Sequence, residues 1–303
     1  MKKLVIARNI GFCFGVRRTV EMAERALSEY GGIYSIGDIV HNPLVMERLK
    51  SKGLKVVQTP EEIEGERFIV RSHGIGPDTL DCIQKKGVKV IDATCPSVKK
   101  IQSLIKKLDN QKYFIIIIGD EKHPEVIGLK EYGKNTLIFG SKGFSKKVKG
   151  LERAAVIGQT TLSFEEYIRK VREITGLPLA REVVVYNTIC RVTGERQKEA
   201  VELSKVVDVV FVLGGRNSSN TAKLYETVRR YNRNVFYIER MRDIEGLSLT
   251  GVDSIGIISG TSTSDNFISE VKEYIKKTGY REVQYNDKRD GCRKATGRKN
   301  IGV

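Results

Sequence analysis

Apolar positions along the chain follow two spacings. Runs such as Tyr113 to Ile118 and Val209 to Leu213 are short and continuously apolar, the pattern of a strand buried on both faces. Between such runs, apolar residues recur three and four positions apart, the spacing of an amphipathic helix. Short strands alternating with helices predict an α/β chain built on mostly parallel sheets.

The alternation repeats three times in one order. Each unit opens at a cysteine followed by a helix: Cys13 to about Tyr30, Cys95 to about Leu108, Cys190 to about Val206. A strand follows, Ile33 to Ile36, Tyr113 to Ile118 or Val209 to Leu213, and runs into a glycine and a polar loop. These loops are Gly37-Asp38-Ile39-Val40-His41-Asn42, Gly119-Asp120-Glu121-Lys122-His123-Pro124-Glu125 and Gly214-Gly215-Arg216-Asn217-Ser218-Ser219-Asn220. After a second helix and a weak strand, a stronger strand ends in a second polar loop: Arg71-Ser72-His73-Gly74, Gly158-Gln159-Thr160-Thr161 and Ser259-Gly260-Thr261-Ser262. The last strand of a unit leads to the next cysteine, as Lys3 to Ala7 leads to Cys13. The period is far too long for a solenoid unit. It predicts three similar small lobes, residues 1–95, 96–190 and 191–285, arranged with pseudo-threefold symmetry around a central cavity. Residues 286–303 lack apolar periodicity and are read as a disordered basic tail.

Ligands of open parallel sheets bind beyond the carboxyl ends of the strands, where helix N-termini offer free N–H groups. Every polar loop above is such a strand-end, helix-start loop, so the loops and the three cysteines can converge. Composition narrows the chemistry. At 40% hydrophobic and 30% charged, the chain suits an ordinary globular protein. No apolar run approaches the length of about 20 residues that spans a membrane. The start Met1 to Ala7 is cut by Arg8 and Asn9 and lacks a signal-peptide cleavage site, so a cytoplasmic location is expected. Five thinly spread cysteines argue against a secreted disulfide framework and leave buried thiols, catalytic thiols or metal ligands. The net charge of +16 is dispersed in pairs such as Lys99-Lys100 and Lys106-Lys107 and is mostly read as solvated surface.

All three histidines of the chain, His41, His73 and His123, fall in strand-end polar loops. They suit a metal or an anionic group. Cys13, Cys95 and Cys190 head the repeats, where a helix start lowers a thiol's pKa, and this favours ligation. Cys82, inside a helix, and Cys292, in the tail, are read as non-functional. Structural zinc prefers four ligands in close-spaced pairs, and no C-x-x-C pair exists. Iron–sulfur clusters take thiolates, usually four. Three around a four-iron cube would leave one iron open to a substrate oxygen.

These motifs resemble the 4-hydroxy-3-methylbut-2-enyl diphosphate reductase family of the non-mevalonate isoprenoid route. The resemblance covers the chain to about residue 285. It rests on Gly11-Phe12-Cys13, His41-Asn42, Ser72-His73-Gly74, Asp92-Ala93-Thr94-Cys95-Pro96, His123-Pro124-Glu125-Val126, Gln159-Thr160-Thr161-Leu162-Ser163, Asn217-Ser218-Ser219-Asn220 and Ser259-Gly260-Thr261-Ser262. It implies a [4Fe–4S] cluster held by Cys13, Cys95 and Cys190 with one open iron. It implies that His41, His73, His123, Ser218, Ser219, Asn220 and Ser262 grip the substrate diphosphate. Glu125, helped by Thr160 or Thr161 and by His123, would deliver protons. The implied products are isopentenyl and dimethylallyl diphosphates. Asn9-Ile10, Arg17 and Ser264 depart from the family's common pattern, and none removes a proposed ligand or donor.

Two other readings are open at this level. A three-lobed cluster enzyme resembling quinolinate synthase would dehydrate without taking up electrons. A basic nucleic-acid-binding module would hold structural zinc and lose RNA affinity with salt. Gly214-Gly215-Arg216 does not match a dinucleotide fingerprint, so electrons must come from a partner, expected to be an acidic ferredoxin or flavodoxin. The reading expects no nucleic-acid or membrane partner, and a monomer or weak homodimer.

Overall fold

The computed structural model describes residues 1–144 and 148–285. The basic tail, with Cys292, lies outside the described residues. In chain order the first elements are β1 (Lys3–Ile6), α1 (Phe14–Tyr30), β2 (Ile33–Ile36), α2 (Pro43–Ser51), β3 (Leu54–Val57), β4 (Arg67–Val70), α3 (Pro77–Lys85) and β5 (Lys89–Asp92). Next come α4 (Pro96–Asn110), β6 (Phe114–Ile118), α5 (Pro124–Lys130), β7 (Thr136–Gly140), β8 (Gly143–Phe144), β9 (Leu151–Gly158), α6 (Phe164–Thr175) and β10 (Ala180–Val185). The last group is α7 (Arg191–Ser204), β11 (Val209–Leu213), α8 (Ser219–Arg229), β12 (Val235–Ile238), α9 (Arg242–Glu245), β13 (Ser254–Ser259), α10 (Asp265–Lys277) and β14 (Arg281–Gln284).

Three sheets result, with strand orders β3-β2-β4-β5, β10-β9-β6-β7-β8 and β12-β11-β13-β1-β14. The pairings are parallel except β7 with β8. The central strands show why the apolar runs are continuous. In β6, Ile115 and Ile117 pack with Val98, Ile101 and Ile105 of α4. Ile116 and Ile118 point the other way, toward Tyr167 and Ile174 of α6. Both faces are covered by helices, so every position along the strand is apolar. In β11, Phe211 and Leu213 face Phe267 and Val271 of α10, while Val210 and Val212 face Ala200 and Leu203 of α7. Truncating one of the β6 isoleucines to alanine would cost about 2–5 kcal/mol.

The lobe boundary at residue 1 needs correction. A first lobe of residues 1–95 would contain β1, but β1 lies in the third sheet, between β13 and β14. The reason lies in the repeat. β5 pairs with β4 and leads to Cys95, and β10 pairs with β9 and leads to Cys190. The corresponding place in the third sheet, beside β13, is filled by the strand that leads to Cys13. Leu4 and Val5 are buried on opposite faces of that sheet, so burial on both sides ties the N-terminus down. Each cysteine therefore stands where the chain leaves one sheet and begins the first helix of the next lobe. Three such crossings, one per lobe, bring the cysteines to the centre.

Candidate functional site

The three cysteines share one local geometry. Cys13, Cys95 and Cys190 are the N-cap residues of α1, α4 and α7. Each donates its backbone N–H to the second polar loop of the preceding sheet: Cys13 to the Thr261 carbonyl at 3.1 Å, Cys95 to Ser72 at 3.0 Å, Cys190 to Thr160 at 2.9 Å. None of the three helices carries an acidic residue in its first turn, although the helix dipole favours one there. That positive end is left for another anion. Gly15 lies in the first turn of α1, and a Cβ on it would collide with the Cys95 sulfur. The missing side chain is what lets two of the thiols approach. Cys82 stands apart on α3, its sulfur 4.0 Å from Glu61.

The helix start was expected to lower thiol pKa. At Cys13 the opposite holds: burial pushes the thiol up, against the 3.5 Å bond its sulfur accepts from the Val16 N–H. The neighbouring Cys95 and Cys190 push it further in the same direction, and the cation of Arg196 opposes them. By itself the trio thus resists ionisation at Cys13, and a metal is what would stabilise the thiolates.

A cavity opens beside the cysteines. Val16, which bonds the Cys13 sulfur, and Thr261, whose carbonyl holds the Cys13 N–H, both line it. Its polar wall is formed by His41, Ser72, His73, His123, Thr161, Ser218, Ser219, Asn220, Thr261 and Ser262. The ring centroids of His41 and His73 lie 4.4 Å apart, those of His41 and His123 5.6 Å, and those of His73 and His123 5.3 Å. One nitrogen from each histidine lies within 4.8 Å of the others. This trio could hold a metal or an anion, and its surroundings decide between them. Among the described residues no carboxylate lines the cavity. His123 and Ser218 N-cap α5 and α8, whose positive ends face the cavity. The half-buried Arg71 adds positive charge near His41 and His73. His41 Nε2, His73 Nδ1 and Asn220 Nδ2 are buried without a hydrogen-bond partner, as expected of groups waiting for a polar ligand. The arrangement suits a phosphate-type anion.

Burial favours the neutral form of the three histidines. Burial lowers His41, holds His73 well below the ordinary value, and brings His123 to about 4. Burial also reduces Arg71 to about 10. Gly37, at φ 67°, leaves room for its guanidinium, which a Cβ at that position would meet.

Glu125 lies in the first turn of α5 and is 1% exposed. One carboxylate oxygen accepts the Thr160 N–H at 2.7 Å and the other the Thr160 hydroxyl at 2.6 Å. Burial raises its pKa to about 7 despite those bonds. Thr160 in turn gives its carbonyl to Cys190. Thr161 points elsewhere, its hydroxyl 3.1 Å from that of Ser219. The structure thus places Thr160 against Glu125 and Thr161 in the anion cavity. Ser262 donates its hydroxyl to the His41 carbonyl at 3.1 Å, and Asn42 donates its amide to the Ser262 carbonyl at 2.9 Å, joining lobes one and three at the cavity rim.

A sequence model described as LytB protein matches residues 4–276. The chain belongs to the LytB protein family. Among its LytB relatives, 4-hydroxy-3-methylbut-2-enyl diphosphate reductase of Dictyoglomus turgidum is 42% identical over 275 residues, covering 90% of this chain and 96% of that protein. The enzyme of the same name from Aquifex aeolicus is 39% identical over 283 residues, covering 91% and 97%. Two solved structures share the fold. One, described as the terminal enzyme of the non-mevalonate pathway, is 38% identical with a TM-score of 0.66, covering 91% of this chain and 100% of that one. The other, E-1-hydroxy-2-methyl-but-2-enyl-4-diphosphate reductase from Plasmodium falciparum, is 26% identical with a TM-score of 0.85, covering 95% and 92%.

Sequence reasoning missed four LytB-chain residues at this site: Gly15, Arg71, Gln159 and Arg196. Gln159 donates to Thr161 at 2.8 Å and accepts the Asp120 N–H at 3.0 Å, bracing both polar loops of lobe two. The signal for Gln159 and Arg71 was their place in loops already singled out. Arg196 lies within a helix and carried no such signal.

Proposed function

We propose that the chain is a 4-hydroxy-3-methylbut-2-enyl diphosphate reductase that converts (E)-4-hydroxy-3-methylbut-2-enyl diphosphate to isopentenyl and dimethylallyl diphosphates. The observation that carries this reading is the position of Glu125. A buried carboxyl able to keep its proton near neutral pH is tied through Thr160 to Cys190, and through His123 to an anion cavity. A proton donor therefore stands between a thiol trio and a diphosphate-type pocket.

Cys13, Cys95 and Cys190 would hold a [4Fe–4S] cluster. Three thiols on acid-free helix starts, with Gly15 making room, are a donor set that fits it. When bound, the cluster supplies electrons and an open Lewis-acidic iron. The chain's own residues do the rest. His41, His73, His123, Ser218, Ser219, Asn220 and Ser262 would bind the diphosphate with directed donors, in a cavity free of competing carboxylates. Overall, the allylic C–O bond breaks, two electrons and two protons are consumed, oxygen leaves as water and hydrogen joins carbon. Glu125, with Thr160 fixing both its oxygens and His123 beside it, would deliver protons to the leaving hydroxyl. Electrons would come from an acidic ferredoxin or flavodoxin docking on a basic chain. Among the described residues, no helix is long and apolar enough to cross a membrane.

Turnover by anaerobically reconstituted protein tests the reading. The expected result is loss of the hydroxylated diphosphate with one water and two electrons per product, and iron and sulfide bound in step with activity. Colourless zinc-loaded protein, or dehydration without electron uptake, would sink it.

A further inference from the structure

Arg196 is 5% exposed, in α7 beyond Cys190. One terminal nitrogen donates to the carbonyls of Ser259 at 3.1 Å and Gly260 at 3.0 Å, and reaches the Ser259 hydroxyl at 3.5 Å. The other donates to the Gly11 carbonyl at 2.6 Å. Its Nε is buried without a partner. All of these acceptors are neutral. Arginine does not give up its charge, and burying an uncompensated cation is costly.

Something anionic must therefore stand near it. Glu199 is close and keeps its charge, but its two oxygens face the N–H groups of Arg8 and Asn9 and make no ion pair with the guanidinium. Asp265 is close, but it pairs with Arg17 at 2.8 Å. The other charged or ionisable neighbours are the sulfurs of Cys13 and Cys190. A centre held on those sulfurs would place its negative charge beside the guanidinium.

The same guanidinium is also a clamp. Gly11 and Ser259 are already joined by a 2.9 Å bond from the Gly11 N–H to the Ser259 hydroxyl. Cys13 is joined to Thr261 through its own N–H. Arg196 binds both segments at once and so fixes the Cys13 loop on the third lobe.

We infer that Arg196 is a positioning residue for the iron–sulfur centre, acting as its buried counter-charge and as the clamp on the Cys13 loop. The inference rests on the iron–sulfur reading of the three cysteines. The two roles separate by substitution. A fixed cation favours the more negative, reduced form of a neighbouring centre, so removing it moves the potential to more negative values. Removing the clamp speeds loss of iron.

The test compares wild type, Arg196→Met and Arg196→Lys, reconstituted without oxygen. It measures iron and sulfide per chain, iron loss to a chelator, midpoint potential by EPR-monitored titration, and thermal unfolding by circular dichroism. Arg196→Met is expected to lose iron about tenfold faster and to titrate at a more negative potential. Arg196→Lys keeps the charge and loses the fork, so its potential stays near wild type while iron loss quickens. Folded Arg196→Met with wild-type potential and iron retention overturns the inference. Should Arg196→Met not fold, Arg196→Lys decides: a wild-type potential with faster iron loss upholds the inference, and wild-type behaviour in both, or a large potential shift, overturns it. Wild-type protein that takes up no iron or sulfide sinks the underlying reading itself, a result distinct from any difference among variants.

Discussion

At Glu125 burial and hydrogen bonding pull acidity in opposite directions, and burial wins. The carboxyl sits at about 7, above the ordinary carboxylate range near 4. In the proposed role of proton donor it must be protonated, so turnover is expected to fall as pH rises through about 7. Glu125→Gln keeps the shape and cannot give up a proton. It should lower turnover by about 100-fold or more and remove that limb of the pH–rate profile. Stability carries the same signature. Folded protein binds a proton here that unfolded chain has lost, so this group's contribution is full below about pH 4 and declines until about pH 7. Urea unfolding of Glu125→Gln across that window should show a flatter pH dependence than wild type. The histidines act with the opposite sign. His123, lowered to about 4, contributes stability above its ordinary pKa that is lost as pH falls through the folded value. Glu125, His123 and Thr160 could be singled out in the sequence because they fall in, or at the helix start just after, polar loops between periodic segments. The choice between Thr160 and Thr161 was not legible, because which hydroxyl meets Glu125 depends on how the loop turns after β9.

Gly15 shows element-scale propensity and tertiary packing in conflict. Within a helix, alanine is favoured over glycine by about 1 kcal/mol. On propensity alone, Gly15→Ala should stabilise α1. The Cys95 sulfur occupies the place a Cβ would take, so the same substitution must push two of the three cysteines apart. The expected outcome is a protein that remains helical by circular dichroism, with its reconstituted iron content reduced to less than half of wild type. Retention of full iron would show that the thiols do not need this approach. The elements themselves were largely readable, because strands covered on both faces are continuous apolar runs and the helices keep their spacing. The destination of β1 was not readable. Its pattern is that of any short buried strand, and the neighbours that claim it, Ser254–Ser259 and Arg281–Gln284, lie at the far end of the chain. The two-residue β8 and the four-residue α9 were missed because so short a run carries no period.

On the scale of the molecule, each cluster of buried apolar residues belongs to one lobe, once β1 is counted with the third. Contacts between lobes include many polar ones: Thr161 with Ser219, Lys223 with Glu166 at 2.9 Å, Arg230 with Glu165 at 3.0 Å and Arg240 with Glu47 at 2.6 Å. Between lobes two and three such contacts border a cavity of about 740 Å³ that shares His123, Ser218 and Ser219 with the anion site. Two of its lysines, Lys170 and Lys223, are offset by Glu166. Lys122, Lys142 and Arg216 line it beside Asp120 and Glu121, and no ion pair to a carboxylate holds these three cations among the described residues. Charge placed at a mouth rather than at the reacting atoms raises the local concentration of an anion without changing chemistry after binding. Replacing all three with glutamine should therefore lower kcat/KM for the diphosphate about fivefold at low salt and leave kcat unchanged. In about 1 M salt, where the Debye length falls to about 3 Å, the variant and wild type should converge. Steady-state kinetics at the two ionic strengths separate this from damage to the site. A fall in kcat, or a difference that persists in high salt, would place these cations in the binding machinery instead of on the path to it.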